Sequence, residues 1–330
     1  MNGMRIAALI ICVLAAAGSA RAEAVRIARQ FGISYLPLVL MQDGKLLEQE
    51  GRARGLDLVP EWVTFTGGPP INDALISGNI DVAAGGVGPM LTLWGRTRAN
   101  LKVKALAALG SMPVWLMTNR ADVASIRDFG PQDRIALPGV KVSIQAVILQ
   151  MAARQAFGPG EEYRLDKLTV SMGHPDGQAA LTSANTEITG HFTSAPFMYE
   201  EAALPRVHRV LDSYDVLGGP HSFNLVWTTT RYYEANPKVI EAFMAALDRA
   251  VAAIRADPLE AARAWVRVEK ARLTPEQAAE MVRRPENEWT TTPKGIMQFA
   301  RFMQETGALQ ARPEDWREVF FPTMREAGGS

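Results

Sequence analysis

Residues 77–91 read SGNIDVAAGGVGPML, and these fifteen positions decide the fold. Gly78-Asn79 is turn chemistry. Residues 80–84 form a short apolar run broken only by Asp81. Gly85, Gly86 and Gly88 follow, at a corner where the backbone turns sharply and leaves room above it. Pro89 suits the first turn of a helix, where its missing N–H is no loss, and a helix is expected over 89–94. Unpaired N–H groups at a helix start favour an anionic or polar ligand. Asp81 reads as structural, holding backbone at the turn.

The same unit occurs twice before it. Residues 25–31 alternate as a strand, 32–37 turn, and 38–50 form an amphipathic helix with Leu38, Met41, Leu46 and Leu47 on one side. Residues 56–65 are a second strand, followed by Thr66-Gly67-Gly68-Pro69-Pro70 and a helix over 71–76. Three strand–corner–helix units in succession predict an α/β domain with a mostly parallel sheet. Ligands of such sheets sit at the carboxyl ends of the strands, so the corners at 30–35, 66–69 and 85–90 face one crevice. Arg26 and Arg29 alternate with core positions and read as solvated surface.

Further on, 103–109 and 114–118 carry strand signals. The alternation then restarts: a short helix at 125–129, a strand at 134–137, a helix at 144–157, strands at 168–170, 187–193 and 206–213, and a helix at 178–184 preceded by a loop containing His174. This makes 119–222 a second α/β unit. Residues 223–229, FNLVWTT, read as a buried strand. Helices follow over 237–256, 258–268, 274–283 and 293–306.

The 330-residue chain is 48% hydrophobic and 21% charged, with zero formal net charge. There is no basic excess to recruit nucleic acid and no polybasic run for a membrane surface. The N-terminus has a different character: Arg5, an apolar core over 6–17, then Ala20-Arg21-Ala22. Residues 1–22 therefore read as a cleavable secretory signal peptide, too short to span a bilayer. Its removal takes Arg5, Arg21 and the only cysteine, Cys12, leaving 33 basic and 35 acidic residues. A cysteine-free mature chain has no disulfide and no thiol chemistry. The mature protein is expected to be soluble and periplasmic.

Catalytic signatures are missing: no GxSxG, phosphate-binding loop, HExxH or CxxC. His174, His191, His208 and His221 lack metal-ligand spacing, so neither a metal nor a cofactor is expected. His174, in its loop, is a candidate ligand contact. Glu161-Glu162 reads as a solvated face.

The chain resembles the substrate-binding proteins of nitrate-, sulfonate- and taurine-type ABC importers, the family with an SsuA-like fold. VRIARQ with LPLVLMQDGKLLEQEG, and above all GGPPINDALISGNIDVAAGGVGPML, carry the likeness. DRIALPGVKVSIQAVILQ is similar to the start of that family's second domain, and HFTSAPF and the C-terminal helices match more weakly. The resemblance implies a two-lobed, type II-like periplasmic binding protein fold with two crossovers and a ligand cleft between lobes. One lobe would be 25–118 plus 223–330 and the other 119–222, with crossovers near 118–121 and 222–227. Arg29 stands where that family carries an aromatic.

It further implies a pocket built from Gln30, Phe31 and Tyr35 of the first corner, Gly67 and Gly68 of the second, and Val87, Gly88 and Pro89 of the third. Trp115, Ser143, Gln145, Thr193 and Phe197 complete it. Backbone N–H groups at the helix starts near Gly68, Gly88 and Ser143 would hold an oxyanion, and Tyr35, Trp115 and Phe197 would form its walls. The implied function is capture of a small anionic or polar solute by a monomer and its delivery to an inner-membrane ABC permease with its ATPase. A periplasmic sensor module would share the lobes. An enzyme of the fold's pyrimidine-synthesising branch is disfavoured, because that branch implies a cysteine-rich active segment.

Overall fold

The computed structural model describes residues 22–184, 186–324 and 328–330. The expected signal peptide lies outside them except for Ala22. The first half of the chain runs β1 (Glu23–Arg29), α1 (Leu36–Asp43), α2 (Leu46–Ala53), β2 (Leu58–Thr64), α3 (Gly68–Ile76), β3 (Val82–Gly86), α4 (Val87–Thr97), β4 (Lys104–Ala108) and β5 (Trp115–Thr118). It continues with β6 (Ile135–Leu137), α5 (Ile144–Phe157), β7 (Thr169–Ser171), α6 (His174–Thr182), β8 (Gly190–Thr193), α7 (Phe197–Ala202), β9 (His208–Asp212) and α8 (Ser213–Leu217). The last part comprises β10 (Asn224–Thr228), α9 (Thr230–Ala235), α10 (Pro237–Ala256), α11 (Pro258–Glu269), α12 (Pro275–Val282) and α13 (Ile296–Glu305).

Local chemistry sets many of these boundaries. Proline stands in the first turn of α1, α3, α6, α10, α11 and α12, where its fixed φ is already helical. Ser143 caps α5 by accepting from the Ala146 amide, Asp257 caps α11, and Thr274 with Gln277 forms a capping box on α12. The helix expected over 38–50 breaks in two at Gly44-Lys45, where Lys45 takes a left-handed φ of 50°. The helix expected over 125–129 is a set of turns, with the Asp128 carboxylate accepting from the Ala124 and Ser125 amides.

Two five-stranded sheets form, in the orders β2-β1-β3-β10-β4 and β7-β6-β8-β5-β9. These are one topology used twice. In each sheet three parallel strands stand on one side, and the fourth place is filled by an antiparallel strand that crosses over from the other sheet's part of the chain. β10 fills it in the first sheet and β5 in the second. Each sheet is thus mostly parallel, with four strands running one way and a single strand, β10 or β5, running against them. β5, with Trp115, was expected in the first lobe; it pairs with β8 and β9 of the second. The first crossover accordingly lies at 109–114 instead of 118–121.

The two crossovers are joined. Leu109 N–H donates to the Asn224 carbonyl, Phe223 N–H to Gly110, and Ser111 exchanges both backbone bonds with Glu288. The Ser111 hydroxyl donates to the His221 carbonyl at 2.7 Å. α10 and α11 cover α1 and α2 of the first lobe, while α13 packs on both α4 and α5. One continuous apolar core runs through both lobes. A smaller cluster, Met117, Ala136, Leu181, Ile188 and Val207, lies in the second lobe. Among the described residues no helix is long and apolar enough to cross a membrane.

Candidate functional site

The carboxyl ends of β1 and β3 and the starts of α3 and α4 meet the start of α5 across the cleft. Between them is a cavity of about 20 Å³ lined by Gln30, Phe31, Tyr35, Gly68, Gly86 and Pro89 from the first lobe. Pro138, Ser143, Ile144, Gln145 and His174 line it from the second, and Phe223 and Asn224 from the crossover. That is room for about one water. Two wider spaces flank it: one of about 790 Å³ bordered by Phe31, Phe197, Glu200, Trp265 and Glu269, and one of about 730 Å³ bordered by Thr66, Pro69, Pro138 and Asp176.

The glycines explain how the lobes come so close. A Cβ on Gly67 would stand 2.1 Å from the Pro138 carbonyl oxygen, one on Gly86 2.9 Å from Ile144 Cγ2, and one on Gly88 2.7 Å from the Val142 carbonyl oxygen. Each clash is with the opposite lobe. Gly85 and Gly86 belong to β3, and neither they nor Gly88 have positive φ. Gly86 and Gly88 therefore answer to close approach between lobes and not to a sharp turn, while Gly85 makes room for Gln30 and Trp227 of its own sheet. Gly67 and Gly88 are interlobe contacts rather than cavity wall. Val87 is buried in the core, and its amide donates to the Phe223 carbonyl. With prolines at 69, 70 and 89 removing further donors, the cradle of amides expected over the first-lobe helices is thin. The start of the 14-residue α5 is the strongest positive helix end at the cavity.

Polar groups fix the walls. The Tyr35 hydroxyl donates to Asn224 Oδ1 at 3.2 Å, and Asn224 Nδ2 donates to the Ser34 hydroxyl at 2.8 Å. His174 begins α6 rather than lying in a loop. Its Nε2 is 3.3 Å from Gln145 Nε2, and its Nδ1 is 3.1 Å from His191 Nε2 and 3.3 Å from Thr193 Oγ1. His191 Nδ1 is 2.6 Å from Glu201 Oε1. His191 and Glu201 are fully buried. Burial lowers His174 well below its ordinary value, takes His191 down to about 3 and pushes Glu201 up to about 9. No side chain of Lys, Arg, Asp or Glu lines the cavity. No group of three or more His, Cys, Asp or Glu among the described residues is placed to hold a metal.

No family model matches the chain, and no curated protein matches it in sequence. Solved structures do match its shape. The alkanesulfonate-binding protein SsuA from Xanthomonas axonopodis pv. citri, bound to MOPS, is 19% identical, covers 90% of this chain and 96% of its own, and superposes with a TM-score of 0.67. The zinc-bound ligand-binding component of an ABC-type import system from Staphylococcus aureus is 17% identical over 92% of this chain and 99% of that one, with a TM-score of 0.70. The periplasmic nitrate-binding protein NrtA from Synechocystis PCC 6803 is 13% identical over 91% of this chain and 85% of that one, TM-score 0.71.

The chain has the periplasmic binding protein fold.

Within this fold, eight residues singled out from the sequence meet at the interlobe cavity: Gln30, Phe31, Tyr35, Gly68, Pro89, Ser143, Gln145 and His174. Phe197 borders the wider space beside it and lies against His174, ring centres 5.6 Å apart. Thr193 stands behind His174. Trp115 does not reach the cavity; its ring meets Tyr199 edge-on at 5.2 Å and lies under the Arg209 guanidinium. Gly86, Pro138, Ile144, Phe223 and Asn224 were missed. Asn224, a lone amide in an otherwise apolar strand start, was the signal available for the last of these.

Surface assignments also change. Arg29 is buried and pairs with Glu269 at 2.5 Å, and Arg26 forks onto Asp81 through Nε and Nη2. Glu162 is largely buried and faces Arg154 at 3.5 Å.

Proposed function

We propose that this protein is an extracytoplasmic solute-binding protein of an ABC importer, exported by a cleavable signal peptide. It would act as a monomer that hands a small anionic or polar organic solute to an inner-membrane permease and its ATPase. The observation that carries the reading is the cavity itself: walls come from both lobes and the crossover, and glycines 67, 86 and 88 let the lobes close directly on one another. A solute larger than a water molecule enters only when the lobes part, which is hinge closure about a ligand. The α5 start and the donors of Gln30, Gln145 and Asn224 favour an oxyanion, of the sulfonate, taurine or nitrate class. This is a binding role, not an enzymatic one, with no cofactor and no nucleic-acid partner.

A thermal-shift panel of sulfonates, taurine, nitrate, carboxylates, pyrimidines and aromatic acids tests it. A true ligand at a hundred times its Kd stabilises the folded state by about 2.7 kcal/mol, a shift of several degrees. Turnover of a panel member with no shift from any of them would refute the binding role.

A further inference from the structure

Behind the cavity wall, His174, His191 and Glu201 form a single hydrogen-bonded file from the cleft to the second lobe's interior. Its parts are held in place. Gly177 of α6 passes directly over His191, where a Cβ would stand 2.6 Å from Nε2. Glu201 Oε2, at the inner end, is buried and has no partner.

We propose that Glu201, acting through His191, sets which nitrogen of His174 carries hydrogen at the cavity, so that the site selects hydrogen-bond-accepting anions and takes up one proton with them in alkaline solution. The proposal deepens the binding-protein reading and rests on it for the ligand.

The file has two arrangements. With Glu201 ionised, His191 Nδ1–H donates to it, His174 Nδ1–H donates to His191 Nε2, and His174 Nε2 offers the cavity a lone pair. One proton entering at His174 Nε2 moves the others along: the Nδ1 hydrogen of His174 passes to His191 Nε2, and that of His191 Nδ1 passes to Glu201. The file gains one proton and loses one negative charge, and His174 Nε2–H now donates to the cavity. The Thr193 hydroxyl donates or accepts and so matches both arrangements, whereas the Gln145 Nε2 donor facing His174 Nε2 matches the first and turns its amide over, Oε1 inward, in the second. An anion binds the second and is repelled by the first.

The surroundings favour the neutral file. Glu200, beside Glu201 in the chain, has a carboxylate that accepts from Gln178 of α6 and repels a second anion. Asp176 of α6 is exposed. On β9, His208 is bonded to the Val123 carbonyl, and Arg209 is engaged with Asp212 and the Trp115 ring. Arg284 and Glu286 lie against Tyr199, and Arg206 donates to the Thr182 carbonyl. β5 has no charged residue. Among the described residues no cation reaches Glu201, consistent with a carboxyl that titrates near pH 9.

The test uses the full chain with ¹⁵N-labelled histidine. In the wild type without ligand, His174 is expected as the Nε2–H tautomer at pH 7, converting to Nδ1–H as the pH rises through about 9. In Glu201→Gln the His174 signals should not change from pH 7 to 10. Calorimetric titration with taurine and with nitrate then reads the ligand side. Wild-type affinity should fall about ten-fold per pH unit above the transition, with up to one proton taken up per anion, while Glu201→Gln stays flat. A His174 tautomer indifferent to pH in the wild type overturns the relay, even if the variant does not fold. A relay that titrates while neither anion binds leaves the relay standing and refutes anion selection.

Discussion

The Tyr35 hydroxyl donates to the Asn224 carboxamide oxygen at 3.2 Å, tying the first corner of lobe one to the strand that returns from lobe two. Both residues are buried, so Tyr35→Phe strands an acceptor in the wall of the cavity. The variant should lose about 1–3 kcal/mol of stability in denaturant unfolding. Solute affinity should drop several-fold, because Asn224 is then held only by its bond to Ser34.

Gly86→Ala and Gly88→Ala each put a methyl group between the lobes. Their expected signature is weakened closure: at least ten-fold lower solute affinity, and no contraction in X-ray scattering on adding ligand. Gly51→Ala is the control, since its Cβ would stand 2.7 Å from Leu58 within lobe one. Overpacking there should lower the melting temperature by the equivalent of about 1–3 kcal/mol while leaving affinity alone.

Buried neutral histidines set the acid limit. His191, near 3, His221, near 4, and His174, also lowered, all lie below their ordinary value of 6.5. Below pH 6.5 the unfolded chain takes up protons that the folded chain does not, so each destabilises by up to about 1.4 kcal/mol per pH unit as pH falls toward its folded value. Glu201 has the opposite sense. Raised to about 9, it stays protonated when folded while the unfolded chain ionises above 4.5, so stability declines as pH rises from there to 9. Together they place the melting maximum near pH 6.5. Glu201→Gln should flatten the alkaline side alone.

Arg29 and Glu269 form a buried ion pair between the end of β1 and the end of α11. Glu269→Ala leaves the guanidinium buried without its partner and should lose about 3–5 kcal/mol. Equilibrium unfolding in urea measures it; a loss under 1 kcal/mol would show that the pair contributes little.

The sequence displayed the fold because each level of pattern agreed with the next. The 237–256 stripe became α10, and the Ser143 cap placed α5 to the residue. What it hid depended on contacts distant in sequence. His174 and His191, seventeen residues apart, have no ligand spacing along the chain, yet α6 and β8 bring their rings together. Arg29 looked solvated because nothing near it in sequence announces Glu269. Trp115 joins the second sheet although its place in the chain points to the first, because a strand's period says how it is buried but not which sheet it joins. Gly86 and Gly88 read as a sharp turn, whereas what they answer to is a surface more than fifty residues away.

The interposed strands also fix an order of assembly. Sheet two has all its strands once residue 212 is available, whereas sheet one keeps a gap between β3 and β4 until β10 arrives at 224–228. On a chain emerging N-terminus first, the lobe encoded second is thus the earlier one able to complete its sheet. The N-terminal strands wait as an open edge pair, and the last strand to insert is the one that carries Asn224 into the cavity wall.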